Sequence, residues 1–135
     1  MIKIMSGDFK KTEEELRKEL PEQIYNVARE KGTEAPFSGE FVNHHEKGMY
    51  FCRVCGTRLF SSGAKFDSGT GWPSFDESIN VENIELKKDE GGGGLRTEVV
   101  CKNCGSHLGH VFDDGPTKSG KRFCINSVCL GFERS

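Results

Sequence analysis

Apolar and polar positions divide the chain near residue 40. Before that point the spacing is helical. Thr12 is an N-cap hydroxyl with Glu15 three residues later, a capping box, and Leu16 and Leu20 then lie one turn apart. Pro21 suits the first turn of a second helix, where its missing N–H costs nothing. Ile24, Val27 and Ala28 form an i, i+3, i+4 stripe, and Gly32 after Lys31 is a C-cap signal. After Gly39 the pattern changes to short apolar runs separated by Gly, Asp or Asn. These predict strands over Met49–Val54, Arg58–Phe60, Val81–Lys87, Leu95–Cys101, Arg122–Ser127 and Leu130–Arg134. Asp89–Gly94 reads as a flexible hairpin connection. It lacks the Gly-Lys-Ser/Thr ending and following helix of a phosphate cradle. The expected body is antiparallel and mainly β, with short N-terminal helices packed onto it.

Composition narrows the picture. A chain of 135 residues suits one domain, read as 1–135 with a helical extension over 1–20 and a core over about 21–133. Nineteen basic residues against 21 acidic ones leave a formal charge of −2, which disfavours nucleic-acid binding by phosphate neutralisation. No apolar run approaches the roughly 20 residues of a membrane span. Met1–Lys11 lacks the apolar segment of a signal peptide. A soluble, cytoplasmic protein without membrane partners is expected.

Six cysteines in such a chain point to metal binding or catalysis before disulfides. Cys52-Arg-Val-Cys55-Gly56 and Cys101-Lys-Asn-Cys104-Gly105 are matching C-x-x-C-G knuckles. Two intervening residues let both sulfurs face one ion, and the glycine permits the positive φ of the turn beneath. The alternatives are two separate redox pairs or buried free thiols, and His107 and His110 are rival ligands. Symmetry favours a closed site of four cysteines holding one structural zinc.

Cys124 and Cys129 have no such partner, and an isolated cysteine is often a small buried hydrophobe. The neighbours of Cys124 change its reading. On a predicted strand Arg122, Cys124 and Asn126 share one face, which sets a cation and an amide beside a thiol. A nearby cation favours thiolate. Trp72, the single tryptophan, sits in the loop Gly71-Trp-Pro-Ser-Phe75, where a core role and a ligand-facing role are both open. His107, His110 and Phe112 lie in the run Gly105–Pro116, where the histidines read equally as turn or core residues.

These motifs in this order resemble the B-type methionine sulfoxide reductases, which act on the R epimer of methionine sulfoxide. The match runs from Pro21–Gln23 through Arg29–Glu40, both knuckles, Gly71–Phe75, His107–Pro116 and Arg122–Ser127, ending near Phe132, and so covers most of the chain. The resemblance implies two antiparallel sheets in a tent-like β-sandwich, with a zinc-bearing end away from the active site. It assigns Cys124 as nucleophile, with His107, His110, Asn126 and Arg122 as the polar side of the pocket. Trp72 and Phe112 become substrate contacts. It also implies a substrate in oxidised proteins or peptides, thioredoxin or another thiol reductant, and a monomer. Attack by the thiolate requires the sulfoxide oxygen to gain a proton or strong hydrogen bond, and it leaves a sulfenic acid on Cys124.

The chain departs from the family at two points. Many members carry a resolving cysteine where this sequence has Thr70, and Cys129 stands where a non-thiol residue is more usual. Three routes back to the thiol are open: Cys129 as an alternative resolving residue, direct reduction by an external thiol, or a zinc-site cysteine. Five residues along an extended strand span about 16 Å, which opposes a Cys124–Cys129 bond unless the chain turns. Two rival functions come from other classes. A zinc-ribbon-type protein-binding module of related β-tent fold would have no need of the Cys124/Asn126 pair with His110 and Trp72. A general thiol oxidoreductase would need a free C-x-x-C.

Overall fold

The computed structural model describes residues 11–89 and 96–135. Two short helices come first, α1 (Glu13–Glu19) and α2 (Glu22–Ala28). The capping box forms as the sequence predicts, with Thr12 and Glu15 exchanging side chain-to-backbone hydrogen bonds of 3.0 and 3.1 Å. Pro21 lies one residue before α2 rather than within it, and α2 ends sooner than expected. Arg29 takes the C-cap, and the left-handed residue is Lys31 at φ 58° rather than Gly32. Leu16, Val27 and Ala28 are buried. Arg29 holds this helical unit to the second knuckle, pairing with Glu13 and donating to the Cys104 carbonyl (2.6 Å) and the Ser106 hydroxyl (3.1 Å).

Nine strands follow among the described residues: β1 (Gly48–Cys52), β2 (Arg58–Ser61), β3 (Lys65–Phe66), β4 (Ser74–Phe75), β5 (Ile84–Asp89), β6 (Arg96–Cys101), β7 (His107–Phe112), β8 (Arg122–Ile125) and β9 (Leu130–Arg134). They form two antiparallel sheets, ordered β2-β1-β9 and β3-β4-β8-β7-β6-β5. The core joins Tyr50, Leu59, Phe60 and Leu130 of the small sheet to Phe75, Val99, Leu108 and Ile125 of the large one. Phe60 stacks on Phe75 across the two at 4.4 Å between ring centroids. Burying a phenylalanine contributes roughly 1.5–3 kcal/mol, so this aromatic seam is a main source of stability.

Several strand expectations need correction. β1 and β8 stop at Cys52 and Ile125 rather than Val54 and Ser127, so Asn126 follows β8 rather than lying on it. β3 and β4 were not expected. Val81–Asn83 forms a 3-10 turn, with strand only from Ile84, because the Asn80 side chain accepts from the Glu82 N–H (2.9 Å) and turns the chain. β7 was not expected, since Gly109 in its centre reads as a breaker. Its glycine answers a packing demand: a Cβ there would lie 2.0 Å from the Cys124 carbonyl oxygen on β8. The expected hairpin connection falls largely outside the described residues, as does Leu95.

From β8 to β9 the chain crosses between sheets through a 3-10 turn at Ser127–Cys129. The buried Glu34 carboxylate accepts from the Ser127 and Val128 N–H groups at 2.8 and 2.9 Å and fixes this corner. Among the described residues no helix is long and apolar enough to cross a membrane.

Candidate active site and metal centre

The large sheet places side chains in register around Cys124. On β8 it faces His110 of β7 on one side and Ser74 of β4 on the other, while Arg122 faces Phe112. Directly opposed residues have Cβ atoms about 4.5–5.5 Å apart, so these side chains are neighbours by strand pairing. Cys124, His110, Arg122 and Phe112 floor a cavity of about 250 Å3, also lined by Trp72 and Asn126, with Ser74 buried beneath. That volume suits one side chain better than a nucleotide or a large cofactor.

Each predicted residue has a distinct setting. Trp72 donates its indole N–H to the Glu34 carbonyl (3.1 Å), which anchors the ring as one wall. Arg122 makes a two-pronged pair with Asp114 (2.9 and 3.1 Å), and its guanidinium lies 4.6 Å from the Phe112 ring centroid. Asn126 is buried and locked: its Oδ1 accepts from the Glu34 N–H (3.1 Å), and its Nδ2 donates to the Leu108 carbonyl (3.0 Å). A second Nδ2 proton remains. His110 Nε2 lies 2.8 Å from Asp89 Oδ2. A carboxylate only accepts, so Nε2 carries the proton.

His107 does not line the cavity. It is buried, with Nδ1 2.7 Å from Glu98. Burial holds it below the usual histidine range against the pull of Glu98. Burial would raise the Glu98 carboxyl, but hydrogen bonds from His107 and Lys31 outweigh it and hold the group below the usual range. The pair is therefore a neutral imidazole donating to a carboxylate. Cys129 is also buried outside the cavity, with its thiol donating to the His107 carbonyl (3.3 Å).

Burial pushes the Cys124 thiol above its ordinary value, while a hydrogen bond with the Thr70 side chain and the charge of Arg122 pull it down. Arg96 and Thr33 line the cavity and were not singled out in the sequence, and Thr70, noted there only for the thiol it lacks, lines it too. Nor were Glu34, Asp89, Glu98 and Asp114, which hold the site's side chains. Only Glu98 left a trace, as an acid at a buried position in the otherwise apolar end of β6.

The two knuckles converge at the other end of β6. Arg96 and Cys101 lie five residues apart on this strand, ~17 Å at 3.4 Å per residue. Sγ atoms of Cys52, Cys55, Cys101 and Cys104 all lie within 4.8 Å of one another and are buried. Separations of 3.7 Å (Cys52–Cys104) and 3.6 Å (Cys55–Cys101) approach the ~3.8 Å edge of a tetrahedron with metal–sulfur bonds of about 2.3 Å. The cluster could hold a metal ion. Gly56 and Gly105 take φ 85° and 77°, as the motif requires. Each knuckle also sets a hydroxyl 3.1 Å from its second sulfur, Thr57 on Cys55 and Ser106 on Cys104. Such hydrogen bonds hold thiolates in place around a metal.

A family model described as the SelR domain matches residues 20–134. The chain belongs to the SelR domain family. Among SelR relatives, a peptide methionine sulfoxide reductase MsrB of Methanosarcina barkeri is 56% identical over 91% of this chain and 87% of its own length. One of Thiobacillus denitrificans is 52% identical over 95% of this chain and 97% of its own. A mitochondrial methionine-R-sulfoxide reductase B3 of Mus musculus is 53% identical over 90% of this chain and 48% of its own. The SelR match takes in both knuckles and every cavity residue named above.

Proposed function

We propose that this protein reduces the R epimer of methionine sulfoxide to methionine, with Cys124 as the nucleophile. The observation that carries the reading is the convergence of one part-exposed thiol with apolar walls and hydrogen-bond donors in a side chain-sized cavity. The activities for which the relatives are named support the reaction class. Trp72 and Phe112 take the S-methyl group, and Asn126 and His110 face the oxygen. Only one epimer then presents its sulfur to Cys124. The thiolate attacks sulfur, and two protons carry the sulfoxide oxygen off as water. Water then attacks the Cys124 sulfur of the adduct, expelling methionine and one proton, so that one proton is taken up in all. The products are methionine and a Cys124 sulfenic acid.

Return to the thiol consumes two reducing equivalents. An external thiol attacks the sulfenic sulfur and releases water, and a second thiol displaces Cys124 from the mixed disulfide. We assign this to an external reductant such as thioredoxin rather than to Cys129, whose thiol is buried away from the cavity. His107 orients β7 beside His110 rather than touching substrate. The four cysteines are read as a zinc site. Four cysteines would fill the coordination of a zinc ion, so zinc there would supply folding energy and not catalysis. The substrate is read as oxidised protein or peptide and the protein as a monomer.

The test is turnover of separated R and S epimers of a blocked methionine sulfoxide, with dithiothreitol, by wild type and Cys124→Ser. R-only turnover that disappears in the variant is expected. No turnover of either epimer by folded, metal-loaded protein would overturn the reading in favour of a protein-binding module.

A further inference from the structure

Beside Cys124 lies a chain of hydroxyl groups that the reaction outlined above does not use. Ser74, fully buried and the strand partner of Cys124, has its Oγ 3.1 Å from the Trp72 carbonyl and 2.7 Å from Ser68 Oγ. Ser68 Oγ lies 2.8 Å from Thr70 Oγ1 and accepts from the Thr70 N–H at 3.3 Å. Thr70 and Cys124 line the same cavity, and the Thr70 side chain pulls the Cys124 thiol down against burial. The hydroxyl chain thus runs from a backbone carbonyl to the residue that shares the cavity with the sulfur.

Each hydroxyl has one proton and can accept twice, so the chain has two consistent proton arrangements. With a neutral thiol, Cys124 donates to Thr70, Thr70 to Ser68, Ser68 to Ser74, and Ser74 to the Trp72 carbonyl. With a thiolate, which can only accept, every bond reverses: Ser74 donates to Ser68, Ser68 to Thr70, and Thr70 to sulfur. In the second arrangement Ser68 still accepts the Thr70 N–H, so no oxygen exceeds its capacity. The Trp72 carbonyl loses one donor and the sulfur anion gains one, and a hydrogen bond to a charged group is the stronger of the two.

We propose that the Thr70 hydroxyl is the donor that stabilises the Cys124 thiolate when it forms, and that Ser68 and Ser74 enable this by reversing their protons together. This rests on the reading of Cys124 as nucleophile. It gives Thr70 a positive role at the position where this chain lacks a second thiol. The charged and titratable groups facing the sulfur are Arg122 on its own strand, His110 on β7, Arg96 at the cavity's β6 side, and Glu34 from the segment after α2. All are unchanged in the test variants.

The experiment measures the rate of Cys124 alkylation by iodoacetamide against pH, with peptide mass spectrometry separating Cys124 from the other thiols. Wild type is compared with Thr70→Val, which keeps the shape and removes the hydroxyl, and Thr70→Ser, which restores it. Thr70→Ala replaces Thr70→Val should that variant fail to fold. The expected result is a midpoint about one pH unit higher in Thr70→Val, the size of losing one hydrogen bond to a charged sulfur. Thr70→Ser should stay close to wild type. Turnover by Thr70→Val should recover as pH is raised. An unchanged midpoint in Thr70→Val, or equal shifts in both variants, would overturn the proposal. The nucleophile reading fails separately, by epimer turnover persisting in Cys124→Ser, because alkylation needs no substrate.

Discussion

Glu34 is the point where the active-site side chains and the corner between the sheets are tied together, and its replacement should show in both. Its carboxylate accepts two buried backbone N–H groups, those of Ser127 and Val128. Its own N–H and carbonyl hold Asn126 Oδ1 and the Trp72 indole. Burial pushes the Glu34 carboxyl above the usual carboxylate range, and the two N–H donors pull it back. Glu34→Gln keeps the shape but offers an NH2 group to one of those N–H donors. Leaving a buried donor unsatisfied costs about 1–3 kcal/mol, and release of the buried charge offsets part of that, so we expect a net loss of about 2 kcal/mol. For a chain this size that lowers the melting temperature by roughly 6–8 °C. Because Trp72 is the single tryptophan, its fluorescence reports the same change in the native state. Turnover of the R epimer should fall about 10- to 100-fold, as expected when reacting groups shift by up to an ångström. A Glu34→Gln protein with wild-type melting, emission and turnover would refute the reasoning.

Three further outcomes follow. Stripping the metal with excess chelator should abolish the cooperative melt, since a four-thiolate zinc site contributes on the order of 10 kcal/mol; a metal-free protein with the wild-type melt would contradict a folding role. Burial holds His107 below its usual range, so the unfolded chain takes up that proton first. Stability should therefore be full above about pH 6.5 and decline as pH falls, and His107→Gln should flatten the decline in melting temperature below about pH 6.5. Cys129→Ser should retain R-epimer turnover within about twofold of wild type, with either dithiothreitol or thioredoxin; loss with thioredoxin alone would restore its resolving role.

Features set by neighbours in sequence were legible before the fold was known. The capping box at Thr12–Glu15, the two knuckles, and the shared face of Arg122, Cys124 and Asn126 depend on spacings of two or three residues. β7 was not legible, because Gly109 answers to the backbone of β8 and its local signal is that of a turn. The carboxylates that hold the site were hidden for the same reason. Asp89 reaches His110 from two strands away, and Glu34 meets Ser127 only through the corner between sheets. Thr70 was noticed for the thiol it lacks, whereas its contact with Cys124 emerges from the packing of the Gly71–Phe75 loop beside β8.

The central claim is that oxygen leaves methionine sulfoxide at the expense of the Cys124 thiolate. The most direct measurement is one turnover of the R epimer without reductant, in the presence of dimedone, followed by peptide mass spectrometry. The account predicts a dimedone adduct on Cys124 in proportion to methionine formed. Methionine formed with Cys124 unmodified, or an adduct confined to another cysteine, would contradict it.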